Sequence, residues 1–379
     1  MSRALAVCRK EDDGPAAKKA KREDKEEEQQ HSAVVASHYN SVKQYSRGER
    51  AQSRIFRLRS FNNWTKSQLI NIALQEVKER FGPKTRVSVL DLCCGKGGDL
   101  LKWKIGRVAS VFCSDIAEVS LQQAGERYAD MRAKERFPDQ LFSAAFLPAD
   151  VTRVRLRDRY VSSGALQELP AFHLVSCQFS LHYAFESEAQ ARRFVQNVAD
   201  CLETGGVFIA STPDSNLLVS QLRARGGVLE NSVSTVRLSE EQKLGGPLPL
   251  FGARYHFHLD EVVNVPEYLV YFPLFVKLLE EVGLELVFKK SFADLLSERC
   301  EKEEARGLLA RMKALESYPP GQGEEADAEA EEYAHAEAKL GHEKPRNSQP
   351  QQFGTISKSQ WEAACYYIVC MFRKVSESK

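Results

Sequence analysis

The chain has 379 residues, a net charge of +1 and 43% hydrophobic residues, enough for a sizeable core. No apolar run approaches the ~20 residues that span a bilayer, and the N-terminal MSRALAVCRKEDD has no apolar stretch of signal-peptide length; a soluble intracellular protein is expected. Nine cysteines with no C-x-x-C pair suggest neither a disulfide framework nor a metal centre, and read as small packed hydrophobes.

In chain order, residues 9–28 (RKEDDGPAAKKAKREDKEEE) are almost devoid of apolar bulk and cannot fold alone. They place a charged, disordered tail at 1–36 ahead of one domain at 37–379. Within the tail, Lys18-Lys19-Ala20-Lys21-Arg22 resembles a nuclear localisation signal. Residues 47–66 carry five arginines and one lysine against one acid, interleaved with aromatics, a mixture suited to an anionic partner such as RNA. A buried strand is predicted over Val87–Leu92, then a Gly-rich turn and a short helix, Asp99–Lys104. Strands follow at Val111–Ile116, Leu141–Leu147, Phe172–Phe179 and Val207–Thr212, with helices at Glu118–Lys134 and Ser187–Leu202. The second helix carries Phe194, Val195, Val198 and Leu202 on one face and is expected to stop at Gly205-Gly206. Leu284–Phe292 and Tyr366–Phe372 read as an antiparallel pair. Residues 321–337 hold seven acids and no Lys or Arg, an acidic insertion in a lobe of about 301–352 that is helical or disordered. The alternation predicts a doubly wound, Rossmann-like α/β fold: a mostly parallel seven-stranded sheet with an antiparallel end.

The turn VLDLCCGKGGDLLKW, Val89 to Trp103, decides the ligand class. The dinucleotide fingerprint G-x-G-x-x-G fits Gly95 and Gly97 but fails at Leu100, which excludes an NAD-dependent reductase. Acid-x-G-x-G-x-G fits better, read as Asp91-x-Cys93-x-Gly95-x-Gly97, and resembles the first motif of class I S-adenosylmethionine-dependent methyltransferases. S-adenosylmethionine has no phosphate for a helix N-terminus; small residues instead let the backbone pass close to it. Asp115, ending the second strand, is placed to accept the ribose hydroxyls, and Asp150, after the third, the adenine amine.

The stretches FNNWTKS, DLCCGKGGDLLKWK, SDIAEVS, CQFSLHYAFES, PLFGARYHF, VPEYLVYFP and SKSQWEA resemble the eukaryotic mRNA cap guanine-N7 methyltransferases, in a vertebrate-like version, from about His38 to Phe372. The resemblance implies methyl transfer from S-adenosylmethionine to guanine N7 of a GpppN cap, with S-adenosylhomocysteine as product and no metal. It implies that Lys66 holds the methionine carboxylate, and that Cys93, Gly95, Asp115, Asp150, Gln178 and Tyr183 line the cofactor pocket. Asn62 and Asn63 would touch the cap; Lys96, Lys102 and Arg127 would face its phosphates or sugar. His182 and Glu267 would address the guanine, with Tyr367 packed beside it. It further implies capped mRNA as partner, a small activating subunit docked on the insertion lobe, contacts with capping machinery or an importin, and the nucleus as location.

Guanine N7 carries a lone pair and no proton, so no catalytic acid or base is required and alignment does the work. Guanine's N1–H and N2–H form a donor pair that one carboxylate accepts, which makes Glu267 the natural reader, on a loop restrained by Pro266. The departure from the family is Cys93, where a glycine stands in the pattern. Cysteine adopts β-region dihedrals freely, so the fold is expected to survive while cofactor affinity weakens. Two other readings stay open on the residues alone: a class I methyltransferase acting on a protein or small molecule, and a non-catalytic cap- or RNA-binding subunit impaired by Cys93.

Overall fold

The computed structural model describes residues 32–41, 48–49, 52–164, 170–240, 242, 245–321, 326–342 and 352–376. The Lys18–Arg22 cluster lies outside them, as does part of the acidic stretch. Helix α1 covers residues 32–41, so the tail boundary drawn at residue 36 from composition falls inside a helix. Helix α2 (Phe56–Phe81) follows. Then β1 (Ser88–Leu92), α3 (Leu100–Ile105), β2 (Ser110–Asp115), α4 (Glu118–Ala133), β3 (Ser143–Pro148), α5 (Leu156–Ser162), β4 (Phe172–Gln178), α6 (Glu188–Cys201) and β5 (Leu202–Pro213) give the expected alternation. Next come α7 (Ser215–Ala224), β6 (Val228–Glu230), β7 (Ser234–Leu238), β8 (Arg254–Leu259), β9 (Val263–Tyr268) and α8 (Phe272–Glu280). The chain continues through β10 (Leu284–Ser291), α9 (Phe292–Arg299), α10 (Glu303–Arg311), β11 (Glu316–Tyr318), α11 (Ala334–His342), β12 (Phe353–Thr355), α12 (Lys358–Cys365) and β13 (Tyr367–Lys374).

The main sheet has seven strands in the order β10-β13-β5-β4-β1-β2-β3. β5, β4, β1, β2 and β3 pair in parallel, while β13 is antiparallel to both β5 and β10. This is the doubly wound sheet with an antiparallel end. Successive side chains of a strand point to opposite faces. Val89 accordingly joins the core on the face that carries Trp64, Trp103 and Phe292, and Leu90 and Leu92 join the one on the face that carries Phe194, Phe208 and Phe275.

Several boundaries differ from expectation. Gly205-Gly206 do not end α6, which stops at Cys201; both glycines lie in β5. Gly205 has φ 87°, and a Cβ on Gly206 would meet the Glu203 and His173 carbonyls at 2.9 and 3.0 Å. The pair makes an irregularity in the β4–β5 register, which glycine alone accommodates there. At its other end, Ser187 caps α6 by accepting from the Gln190 amide.

A second sheet, order β6-β7-β8-β9 and antiparallel throughout, was not anticipated. Its signal was present: Tyr255, Phe257 and Leu259 of β8 are buried in strict alternation. Pro266 and Glu267 lie in β9, not in a loop. Proline is confined to sheet edges, and β9 is an edge strand. The register sets Glu267 opposite Tyr255.

Three of the arginines of residues 47–66 pair with acids elsewhere in the fold. Arg54 pairs with Asp260, Arg57 with Asp327 and Arg59 with Glu261. They fasten the start of α2 to the β8–β9 turn and to the acidic insertion, with the Arg54 side chain still 67% exposed. α2 itself buries Phe61, Trp64, Leu69, Ala73 and Val77. Trp64 Nε1 donates to the Ala305 carbonyl at 2.9 Å, and the Leu58 amide donates to Gln360 Oε1 at 2.9 Å. Burying that face leaves Asn62, Asn63 and Lys66 to line the cavity described next.

Candidate active site

A cavity of about 600 Å³ opens at the carboxyl ends of β1 to β4, where open α/β sheets bind ligands. α1, α2 and the second sheet supply its other walls.

The turn after β1 forms one end. Cys93, Gly95 and Gly97 have φ 54°, 52° and 69°, all left-handed. The expectation of β-region dihedrals for Cys93 is therefore wrong: the position is one that favours glycine, and a side chain there costs roughly 1–2 kcal/mol. Its thiol contacts that of buried Cys177; this hydrogen bond, then burial, pushes the Cys93 thiol well up, so it stays neutral. A Cβ on Gly97 would meet Leu100 Cδ1 at 2.6 Å, whereas one on Gly95 would meet nothing within 4 Å. The first glycine is required by packing; the second is required by its dihedral and leaves its Cα face open to the cavity.

Asp115, at the end of β2, accepts from the Gly95 amide at 2.7 Å and from the Ala117 amide at 2.8 Å. Burial raises its carboxyl, against these amides. Asp150 accepts from the Thr152 amide and hydroxyl at 2.9 and 2.6 Å and pairs with Arg153 at 3.2 Å. Gln178 donates to Ser176 Oγ at 3.1 Å, leaving its buried Oε1 without a partner.

The floor is an ion-pair cluster that sequence reading missed. Asp99 binds Lys66 at 2.8 Å and Lys102 at 2.6 Å. Lys102 also donates to Asn63 Oδ1 at 3.0 Å and to the Gly98 carbonyl at 3.1 Å. Burial works to raise the Asp99 carboxyl, but the two ammonium groups outweigh it and hold it below the usual carboxylate range. Asp91, behind, is pushed up to about 7 by burial and by the Asp99 charge, although Trp103 Nε1 donates to it at 3.1 Å. Asp99 was within reach as a signal: it precedes Lys102 by three residues, one helical turn.

The far end is built around Glu267, 2% exposed. Tyr255 donates to its Oε2 at 2.6 Å, Tyr183 lies 3.5 Å from Oε1, and His182 Nε2 lies 3.2 Å from Oε1. Tyr367 stands against Phe179 and Phe292 with ring centroids 5.0 and 5.7 Å apart, giving an aromatic wall. Burial, then the Glu267 charge, holds the Tyr255 and Tyr367 hydroxyls protonated; burial, then Tyr39 and Glu267, does so for Tyr183.

Lys66, Cys93, Gly95, Asp115, Asp150, Gln178, Tyr183, Asn62, Asn63, Lys96, Arg127, Glu267 and Tyr367 all line this cavity. Lys102 and His182 do not: Lys102 lies behind Asp99, and His182, 1% exposed, lies behind Glu267. Lys102 holds Asp99 and Asn63 in place, whereas both ring nitrogens of His182 are buried without a hydrogen-bond partner, Nε2 standing 3.2 Å from Glu267 Oε1. Tyr183, expected among the cofactor residues, reaches the Glu267 end.

A model of the mRNA (guanine-N(7))-methyltransferase domain matches residues 22–375. The chain belongs to that family. The mRNA cap guanine-N(7) methyltransferase of Drosophila melanogaster is 45% identical over 344 residues, 90% of this chain and 77% of the fly protein. That of Caenorhabditis elegans is 44% identical, over 90% of this chain and 86% of its own length. Methyltransferase 1 of Arabidopsis thaliana is 35% identical, over 91% and 82%. Among solved structures, an S-adenosylmethionine-dependent methyltransferase from Clostridium acetobutylicum shares 12% identity at a TM-score of 0.43, over 83% of this chain and 92% of that one.

The cofactor of a guanine-N7 methyltransferase domain is S-adenosylmethionine, and the residues present fit it. Asp115 keeps lone pairs for a diol beyond those its two amides use, and the orphaned Gln178 Oε1 calls for a donor. Among the described residues no cluster of His, Cys, Asp or Glu could hold a metal ion, and no helix is long and apolar enough to cross a membrane.

Proposed function

We propose that this chain transfers a methyl group from S-adenosylmethionine to N7 of the guanosine cap of mRNA, and that the named residues perform it as follows. One observation carries the reading: a single cavity joins the acid-and-glycine turn to a buried carboxylate set in an aromatic wall. When bound, the cofactor supplies a methyl group activated by its sulfonium. Asp115 orients the ribose, Asp150 and Gln178 the adenine side, and Lys66 the methionine carboxylate in competition with Asp99. Glu267 accepts from guanine N1–H and N2–H, which turns N7 away from the carboxylate and toward the turn. Tyr367 and Phe179 exclude water and hold the base plane. Asn62, whose Oδ1 is buried without a partner, accepts from the cap, and Lys96 and Arg127 face the triphosphate. Because N7 has no proton to lose, these residues need only place it ~3–3.5 Å from the methyl carbon, in line with the leaving sulfur.

The test is methyl transfer from labelled S-adenosylmethionine to GpppA, GpppG and ApppA. Incorporation is expected with the first two only. A folded chain that binds the cofactor but methylates neither would sink the proposal in favour of a non-catalytic cap-binding subunit.

Two finer points belong to the same proposal. The acidic insertion suits a small activating partner rich in Lys or Arg; deleting 321–340 without loss of partner affinity would remove that charge argument. Residence in the nucleus rests on the substrate and on Lys18–Arg22, and a tagged chain that stays outside nuclei would contradict it.

A further inference from the structure

Three consecutive residues of α1 reach three separate elements. His38 Nε2 donates to the Val262 carbonyl in the β8–β9 turn at 3.3 Å. The Tyr39 and Tyr183 hydroxyls lie 3.0 Å apart, their rings edge to face. Asn40 Oδ1 accepts from the Val119 amide at 3.2 Å, and the Tyr39 carbonyl accepts from Ser120 Oγ at 3.3 Å. The N-cap residue of α4, Ala117, offers no side-chain cap of its own, so Asn40 supplies one from across the cavity. α1 therefore clips the second sheet, which carries Glu267, to the helix that begins just after Asp115.

The hydrogen bonds have a direction. Glu267 only accepts, so the one Tyr183 proton goes to Oε1 and Tyr39 donates to Tyr183. Oε2 is held tightly by Tyr255 at 2.6 Å, whereas Oε1 is held loosely by Tyr183 at 3.5 Å, since the nearer His182 Nε2, at 3.2 Å, makes no hydrogen bond to it. The second contact is the one an added donor behind it strengthens and orients. On the other side, Asp115 binds the Ala117 amide at the start of α4, so both ends of the strap rest on groups the reaction uses.

We propose that Tyr39 is a positioning residue for guanine recognition, acting through Tyr183 on the Glu267 carboxylate, with α1 as the strap that links it to the cofactor-side helix α4. The inference rests on the guanine-reading role given to Glu267 above.

The experiment compares the full chain with Tyr39→Phe, Tyr183→Phe and the double variant, on GpppA and S-adenosylmethionine. Tyr39→Phe keeps the ring and removes one hydroxyl, so Tm should hold. Loss of one hydrogen bond in the chain is expected to raise KM for GpppA about 5–10-fold, with KM for the cofactor and kcat within about twofold. In the Tyr183→Phe background the same change should add nothing, because the relay is already cut. An unchanged GpppA KM overturns the inference, as do equal losses for both substrates or additive effects in the double variant. If Tyr39→Phe alone fails to fold, Asn40→Ala, which cuts the tie to α4 and spares the hydroxyls, must raise the GpppA KM selectively or the strap is refuted. An inactive wild-type chain would instead strike the proposed function itself, so the two failures are distinguishable.

Discussion

Glu267→Gln is expected to lower kcat/KM for GpppA by at least ~100-fold while the cofactor dissociation constant moves less than about threefold. The carboxylate is buried, and its two oxygens are already oriented by Tyr255 on one side and Tyr183 on the other. Gln preserves volume and one acceptor. It replaces the second acceptor with an NH₂ group that confronts guanine N2–H donor to donor, and it removes the charge that strengthens both bonds. A hundredfold loss corresponds to about 2.7 kcal/mol, within what a site built to pair a donor forfeits when one bond becomes a clash. The cofactor end, formed by the turn and Asp115, does not touch this group. Steady-state kinetics with each substrate varied, beside calorimetric titration of S-adenosylhomocysteine, would separate the two. Comparable losses in both would mean that Glu267 supports the fold instead of reading the base.

The second large effect concerns Cys93. Replacing it with Gly relieves ~1–2 kcal/mol of left-handed strain. Against this stand the added freedom of glycine in the unfolded chain, roughly 0.5–1 kcal/mol, and the lost packing of a small side chain, of similar size. The terms nearly cancel, so Tm should move little. The gain should appear in binding. The thiol points toward Cys177, with the Asp115 and Asp150 charges near enough to act on it, which places its bulk beside the ligand path between the two carboxylates. Cofactor affinity is therefore expected to rise about tenfold in Cys93→Gly, worth about 1.4 kcal/mol. An unchanged dissociation constant would show that the thiol lies clear of the cofactor, and a higher one would make the thiol a favourable contact.

The half of the site proposed to hold the cofactor was legible because its signals are local. An acid and three small positions follow one strand contiguously, and Asp115 ends the next strand 20 residues beyond Gly95. A parallel strand with both faces buried reads as an apolar run, and the ligand edge follows from its direction. What local signals left open was geometry. Nothing in the letters shows that Cys93 has a positive φ, since that is set by the close return of the chain to Asp115. The Lys66–Asp99–Lys102 cluster was missed because each residue looked sufficient alone, and burial without a partner is what forces them together.

The Glu267 end, proposed to read guanine, was legible only by resemblance. The family stretches named Glu267 and His182, yet no pattern told that the first faces the cavity and the second stands behind it. Glu267 belongs to a separate antiparallel sheet, opposite Tyr255 by strand register, and meets Tyr183 from 84 residues away and Tyr39 from α1. Sequence alone thus determined the alternation of strands and helices, the sheet's parallel core and the ligand edge with its acids. These depend on period, turn chemistry and direction along one chain. Only the tertiary structure decided which charges are paired, which aromatics wall the cavity, and that a segment composition assigned in part to a tail closes it. These depend on contacts between residues far apart in the chain, which burial selects and spacing does not encode.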